Sequence, residues 1–228
     1  QIGPYITPCR PFRQSMKSPL FVVLEGPDGS GTSTQCQILC DRLRAEGHQI
    51  VQTREPGGTE VGERIRSVVL DPGLKALDDV AELLLYAASR RQHLQELIEP
   101  ALASGKPVIS DRYAASSFAY QGAGRGLGPE LVSAVNKVAT RGREPDATIF
   151  LDLSLDQARR RRGHRGGGGD RIEAAGEALQ KRVGLAYRQL AGKDPERCFL
   201  FDASPGVQEV AASIERCLLG RFRNFPYR

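Results

Sequence analysis

A chain of 228 residues, 40% hydrophobic, can bury one sizeable core, and an α/β fold of this length needs no second domain. No apolar run approaches the roughly 18 residues that span a bilayer. The N-terminal "QIGPYITPCRPFRQSMKSPL" has no apolar signal-peptide core, so a soluble, cytoplasmic protein without membrane contact is expected. The net charge of +5 favours anionic partners without separating nucleotides from nucleic acid, and five cysteines with no C-x-x-C pair argue against a disulfide framework or a zinc site.

Residues 1–18 are expected to be a disordered or extended tail, 19–220 a single domain, and 221–228 a C-terminal tail. Short apolar runs predict strands over "LFVVLE" (20–25), "QIVQT" (49–53), "PVISD" (107–111), "ATIFLDL" (147–153) and "CFLFDA" (198–203). Between them, helical patterns cover 33–46, 60–70, 79–104, 129–140, 172–191 and 207–219. This alternation predicts βα units in a mainly parallel sheet, whose ligands bind beyond the carboxyl ends of the strands. The segment "RRRRGHRGGGGDR" (159–171) reads as a mobile, positively charged loop, and "GAGRGLG" (122–128) as a flexible one.

After the first strand, "GPDGSGTST" (Gly26, Pro27, Asp28, Gly29, Ser30, Gly31, Thr32, Ser33, Thr34) meets the phosphate-loop pattern G-x-x-x-x-G-K-[ST] at Gly26, Gly31 and Ser33. Its glycines let backbone N–H groups form a concave nest, and the following helix adds its positive end. Ser33 would place a hydroxyl on Mg²⁺. Thr32 stands where lysine is expected, so a unit charge is missing and another group must supply it. "TREPGGTEVGERIR" (53–66) puts Arg54 at a strand end, suited to a bidentate phosphate contact, and "DRYAASSFAYQG" (111–122) puts Asp111 and Arg112 at another. An isolated arginine of this kind is more often a structural ion pair; two beside a phosphate loop read as a two-anion site, with Asp111 facing Mg²⁺ through water.

In this order and spacing, "EGPDGSGTSTQ", "TREPGGT", "DRYAASSFAYQG", "PDATIFLDL", "DRIE" and "FDAS" make the chain resemble the thymidylate kinases over about residues 19–219. The resemblance implies a P-loop NTPase three-layer α/β fold: a five-stranded sheet, flanking helices and a lid over residues 159–171. It implies phosphorylation of dTMP to dTDP with ATP as co-substrate, Mg²⁺ as cofactor and a homodimer, built through helices such as 79–104, as the assembly. By the same resemblance Asp28 sits by the deoxyribose 3′-hydroxyl, Arg54 and Arg112 hold the acceptor phosphate, and Tyr86 stacks on the base. Arg90 meets the base edge, Ser117 is a polar base contact, and Tyr120 packs beneath the sugar. "FDASPG" (201–206) borders the adenine. Because loop position 30 is serine, the resemblance puts the catalytic arginine in the lid, with Arg162, Arg165 and Arg171 as candidates.

Two departures stand out: Thr32 for lysine, and Ser89 for the acid that commonly precedes the base-reading arginine. They leave open a catalytically weak or silent nucleotide-binding homologue. The basic lid composition alone fits a nucleic-acid patch. It lacks interleaved aromatics and precedes "DRIE", so no nucleic-acid partner is expected.

Overall fold

The computed structural model describes residues 19–163 and 170–221. The predicted tail over 1–18, residues 222–228 of the C-terminal tail, and Arg165 lie outside them.

Five strands, β1 (Phe21–Glu25), β2 (Val51–Arg54), β3 (Val108–Asp111), β4 (Ala147–Asp152) and β5 (Cys198–Asp202), form a parallel sheet in the order β2-β3-β1-β4-β5. As the central strand, β1 is buried on both faces, which is why its sequence is a continuous apolar run. Leu20, Val22 and Leu24 pack on one side with Cys36, Leu39 and Leu43 of α1 (Thr32–Ala45) and Ile214 and Leu218 of α9 (Val207–Arg221). Phe21 and Val23 point to the other side, toward Leu94, Ile98 and Tyr113. Glu25 continues this odd-numbered face and is the one carboxylate inside an otherwise apolar strand.

The remaining helices are α2 (Glu60–Leu70), α3 (Asp79–His93), α4 (Glu99–Ala103), α5 (Ala114–Ser117), α6 (Pro129–Thr140), α7 (Leu155–Gly163) and α8 (Glu177–Ala191). Thr59 caps α2 by accepting the Gly62 N–H, and Asp78 caps α3 by accepting those of Val80 and Ala81. The long helix predicted over 79–104 is interrupted by a π-helical segment, Leu94–Ile98, just before Pro100, whose missing N–H cannot continue the α ladder. A second π segment, Phe118–Gly124, follows α5 and takes in the first three residues of the loop expected over 122–128. The basic stretch expected to be loop begins instead as the last turn of α7, and the helix predicted from 172 starts with a 3₁₀ turn, Glu173–Ala175, before α8.

Strand register sets the working rim of the sheet. Arg54 pairs with Asp111, and Asp111 with Leu24, so the ends of β2, β3 and β1 are level. The phosphate loop leaves β1 one residue beyond that line.

Candidate active site

The loop from Gly26 to Thr34 wraps the start of α1. Gly29 and Gly31 have φ of 91° and 97°, in the left-handed region that glycine adopts without a Cβ clash. A Cβ on Gly29 would also lie 2.7 Å from the Ala158 carbonyl oxygen, so α7 rests directly on the loop.

Clefts open on both sides of this loop. One is lined by Asp28, Gly31, Thr32 and Ser33 with Arg54, Arg66, Tyr86, Arg90, Asp111, Arg112, Tyr120, Gln121 and Asp170. The other is lined by Gly29 to Gly31, Thr34 and Gln35 with Arg161 and the β5–α9 turn at Ala203, Pro205, Gly206 and Val207. The "FDASPG" segment thus borders the second cleft and the two strand-end arginines the first.

In the first cleft Arg112 is fixed from several sides. Its backbone φ is 76°, rare for a residue with a side chain. Nη1 donates to the Gly26 carbonyl at 2.8 Å and the Tyr187 hydroxyl at 3.0 Å, and Nη2 to Asp28 Oδ1 at 2.8 Å. Burial opposes its charge, but Tyr120, Tyr187, Asp28 and Asp111 around it more than offset that and hold the guanidinium protonated. Asp28 is shared: Oδ1 also accepts from the Tyr120 hydroxyl at 2.8 Å and Oδ2 from Gln180 at 3.0 Å. Tyr120 packs its ring under the Arg112 guanidinium, 5.3 Å from the ring centroid.

Arg54 stands at the end of β2 and donates to Glu63 at 2.8 Å, while the other Glu63 oxygen accepts the Gly58 N–H. Arg66, one turn along α2 from Glu63, bonds the Pro56 carbonyl and adds a third cation to the rim. Burial, then the nearby Arg54 charge, lowers its pKa. Like-charged neighbours of this kind are relieved by an anion between them.

The cleft floor is ionic and dry. Arg90 is 1% exposed and donates to Glu55 at 2.8 Å, Ser117 at 3.0 Å, Asn136 at 2.6 Å and the Tyr113 carbonyl at 3.0 Å. Of the five N–H groups on a guanidinium, one on Nη2 makes no bond among the described residues. Ser117 is buried against Arg90 and is not among the residues lining the cleft, so it touches the cleft through that arginine. Tyr86 lines the wall, and burial pushes its phenol pKa up, keeping it neutral. Ser89, where an acid is expected, accepts the Gly57 N–H at 3.2 Å and so ties α3 to the Pro-Gly-Gly turn.

Ser33 Oγ donates to Asp111 Oδ2, and Asp111 Oδ1 is buried without a hydrogen-bond partner among the described residues. An alcohol and a carboxylate with an unused oxygen are hard donors that suit Mg²⁺. No cluster of three or more His, Cys, Asp or Glu side chains gathers elsewhere among the described residues to hold a metal.

The lid arginines separate by contact. Arg162 donates to the Asp28 carbonyl at 2.6 Å, over the phosphate loop, and Arg161 to the Ala203 carbonyl at 2.8 Å. Arg171 is turned away from the loop: it bonds the Val69 carbonyl and Glu82, whose buried carboxylate also receives Gln121 and Arg125. Arg165 lies outside the described residues. Sequence reasoning missed Arg66, Gln121, Glu82, Glu25 and Tyr187. Only Arg66 carried a usable signal, being three residues after Glu63 on the same helix face.

A parallel sheet with a glycine-cradled anion loop between two clefts, one edged by arginines and one by a β-α turn, defines a P-loop phosphotransferase. The family model described as thymidylate kinase matches residues 24–214. A thymidylate kinase from Exiguobacterium sibiricum is 46% identical over 85% of this chain and 91% of its own length, and one from Deinococcus radiodurans 44% over 87% and 96%. The crystal structure of thymidylate kinase from Ehrlichia chaffeensis superimposes with a TM-score of 0.72 at 30% identity, covering 87% of this chain and 98% of that one. The chain belongs to the thymidylate kinase family and is a nucleoside monophosphate kinase.

Proposed function

We propose that this enzyme transfers the γ-phosphoryl group of ATP to the phosphate of dTMP, with the arginine-edged cleft as acceptor site and the cleft at Ala203–Val207 as donor site. The observation that carries the reading is the phosphate loop forming a common wall of both clefts, so that two phosphate groups meet across it. The acceptor oxygen is already anionic near neutral pH, so positioning and charge neutralisation carry the catalysis rather than a strong base. Arg54 and Arg112 grip the dTMP phosphate, Tyr86 stacks on the base and the remaining Arg90 N–H meets its edge. Tyr120, held by Asp28, closes the space beneath the sugar, where a 2′-hydroxyl would clash, and Asp28 sits by the 3′-hydroxyl. Ser33 and Asp111 would hold Mg²⁺, which when bound neutralises charge on the transferring phosphates.

Thr32 is buried at the first position of α1 and brings no charge to the loop. The bond of Arg162 to the loop at Asp28 supports it as the lid arginine that supplies that charge. Purified enzyme with ATP, Mg²⁺ and dTMP in a coupled assay should form dTDP, and absence of product above background would sink the reading in favour of a silent nucleotide-binding homologue. Arg162→Ala should lower kcat by roughly 10²–10³-fold, as removal of one transition-state donor does. Thr32→Lys should recover most of that loss in the Arg162→Ala background; no recovery would show that the two positions do not share a role.

The assembly is proposed to be a cytoplasmic homodimer. Val61 and Val68 of α2, Leu84 of α3 and Leu131 and Val138 of α6 are exposed on three helices packed side by side, an apolar face that a second copy would cover.

A further inference from the structure

We propose that Glu25 and Tyr187 are positioning residues that aim the Arg112 guanidinium at the acceptor phosphate, an inference that rests on the assignment of that phosphate to Arg112. Glu25 is fully buried at the end of β1 and its two oxygens accept four hydrogen bonds. Oε1 takes the backbone N–H groups of Tyr113 at 2.8 Å and Ser116 at 3.2 Å, and Oε2 takes the hydroxyls of Ser116 at 2.6 Å and Tyr187 at 3.0 Å. When ionised, Glu25 can only accept, so both hydroxyl protons point at it and the oxygen lone pairs are left facing away from it. Arg112 Nη1 meets those lone pairs, 3.0 Å from Tyr187 and 3.5 Å from Ser116. The bonds to the carboxylate thus run from the arginine through the hydroxyls to Glu25, while the Ser116 and Tyr187 hydroxyls, 3.0 Å apart, sit side by side beneath Nη1.

This arrangement matters because the backbone does not place Arg112 by itself: its φ of 76° is strained, and the guanidinium is held from its tip. Nη1 is used by Gly26, Tyr187 and Ser116, and one Nη2 proton by Asp28. Among the described residues no bond is made by Nε–H or by the second Nη2–H. Nε–H and one Nη2–H are thus left to meet the oxygens of a phosphate. Without the Tyr187 hydroxyl, Nη1 keeps only the Gly26 carbonyl and the longer Ser116 contact, and the guanidinium is aimed less firmly. Arg112 and Tyr187 are the charged and titratable groups facing Glu25, together with the uncharged Ser116 and the Tyr113 backbone.

The test is steady-state kinetics at pH 8 on Tyr187→Phe, Glu25→Gln and the double variant, with thymidine, which lacks the phosphate, as a competitive inhibitor. Tyr187→Phe should raise KM for dTMP about 10-fold, the effect of losing one hydrogen bond to a charged group. KM for ATP and the thymidine inhibition constant should stay within about 2-fold of wild type, whereas a merely structural role would move all three or none. Glu25→Gln should act in the same direction. The double variant should fall short of the product of the single effects, because both residues act through one arginine. Additive effects, or an equal rise for thymidine, would overturn the inference. So would an unchanged KM for dTMP in Tyr187→Phe when Arg112→Lys raises it. No effect in Arg112→Lys would instead remove the assignment on which the inference stands.

Discussion

Replacing Arg90 by methionine tests whether the acceptor floor is held together by charge. The Arg90 and Glu55 side chains are 1% and 3% exposed, so the loss of the guanidinium strands a carboxylate that water cannot reach. It also takes a donor from Asn136 Oδ1, Ser117 Oγ and the Tyr113 carbonyl. Breaking a buried ion pair by removing one partner costs roughly 3–5 kcal/mol. The stranded neutral oxygens each add about 1 kcal/mol, but they share one cavity and are not additive, so a loss of about 4 kcal/mol is expected. For a domain of this size each kcal/mol moves the thermal midpoint by roughly 2–4 °C, so Tm should fall by about 8–16 °C. Urea unfolding followed by circular dichroism, with calorimetry for Tm, measures both. A loss under about 1 kcal/mol at unchanged m-value would refute the reasoning, since it would mean that His93 and the remaining contacts satisfy Glu55 without the arginine. Arg90→Lys should fall between, because an ammonium cannot reach four acceptors spread around a planar fork.

Burial pushes the Glu25 carboxyl up to about 7, against the opposing pull of Arg112 and the bonds from Ser116, Tyr113 and Tyr187. An acid whose folded pKa lies above its unfolded value binds more protons when folded, so stability falls as pH rises from the unfolded pKa toward 7. Wild type relative to Glu25→Gln should therefore lose up to about 3 kcal/mol between pH 5 and pH 8 in urea unfolding; a constant difference would refute the burial argument. Asp111→Asn should raise the Mg²⁺ concentration for half-maximal rate about 10-fold, a typical order for a weakened ligand set, and an unchanged Mg²⁺ dependence would remove Asp111 from the metal site. Leu84→Asp, on the exposed apolar face proposed as the dimer interface, should lower the sedimentation coefficient with the fold retained; an unchanged value would refute that assignment.

The sheet was legible in the sequence because parallel central strands must be apolar on both faces, and all five strands lie within two residues of where the runs predict them. Helices α2 and α6 were equally plain, bounded by a Thr59 cap and by Pro129. Local pattern failed where a third element decides the outcome. The glycine-rich stretch from 122 begins inside the π turn Phe118–Gly124, which is packed against α8 and α6, so Gly122 and Gly124 serve close approach rather than freedom. The start of 159–171 is dense in arginine, yet Arg161 and Arg162 are drawn into α7 by carbonyl oxygens of the phosphate loop and the β5–α9 turn. The strand-end groups Arg54, Asp111 and Arg112 could be read because their neighbours in the chain form motifs. Glu25, Glu82 and Tyr187 could not, because each gains its meaning from partners far away in sequence.

The order β2-β3-β1 has a consequence for how the molecule comes into being. β1 and β2 are consecutive in the chain but are not neighbours; the third strand to be synthesised must insert between them. Its arrival supplies Asp111 and Arg112 and levels Arg54 with the phosphate loop. A chain that ends before residue 108 has the glycine loop but lacks Asp111 and Arg112, which line the first cleft. Both clefts also draw lining residues from Arg161 onward, so neither is complete until the chain beyond β4 is in place.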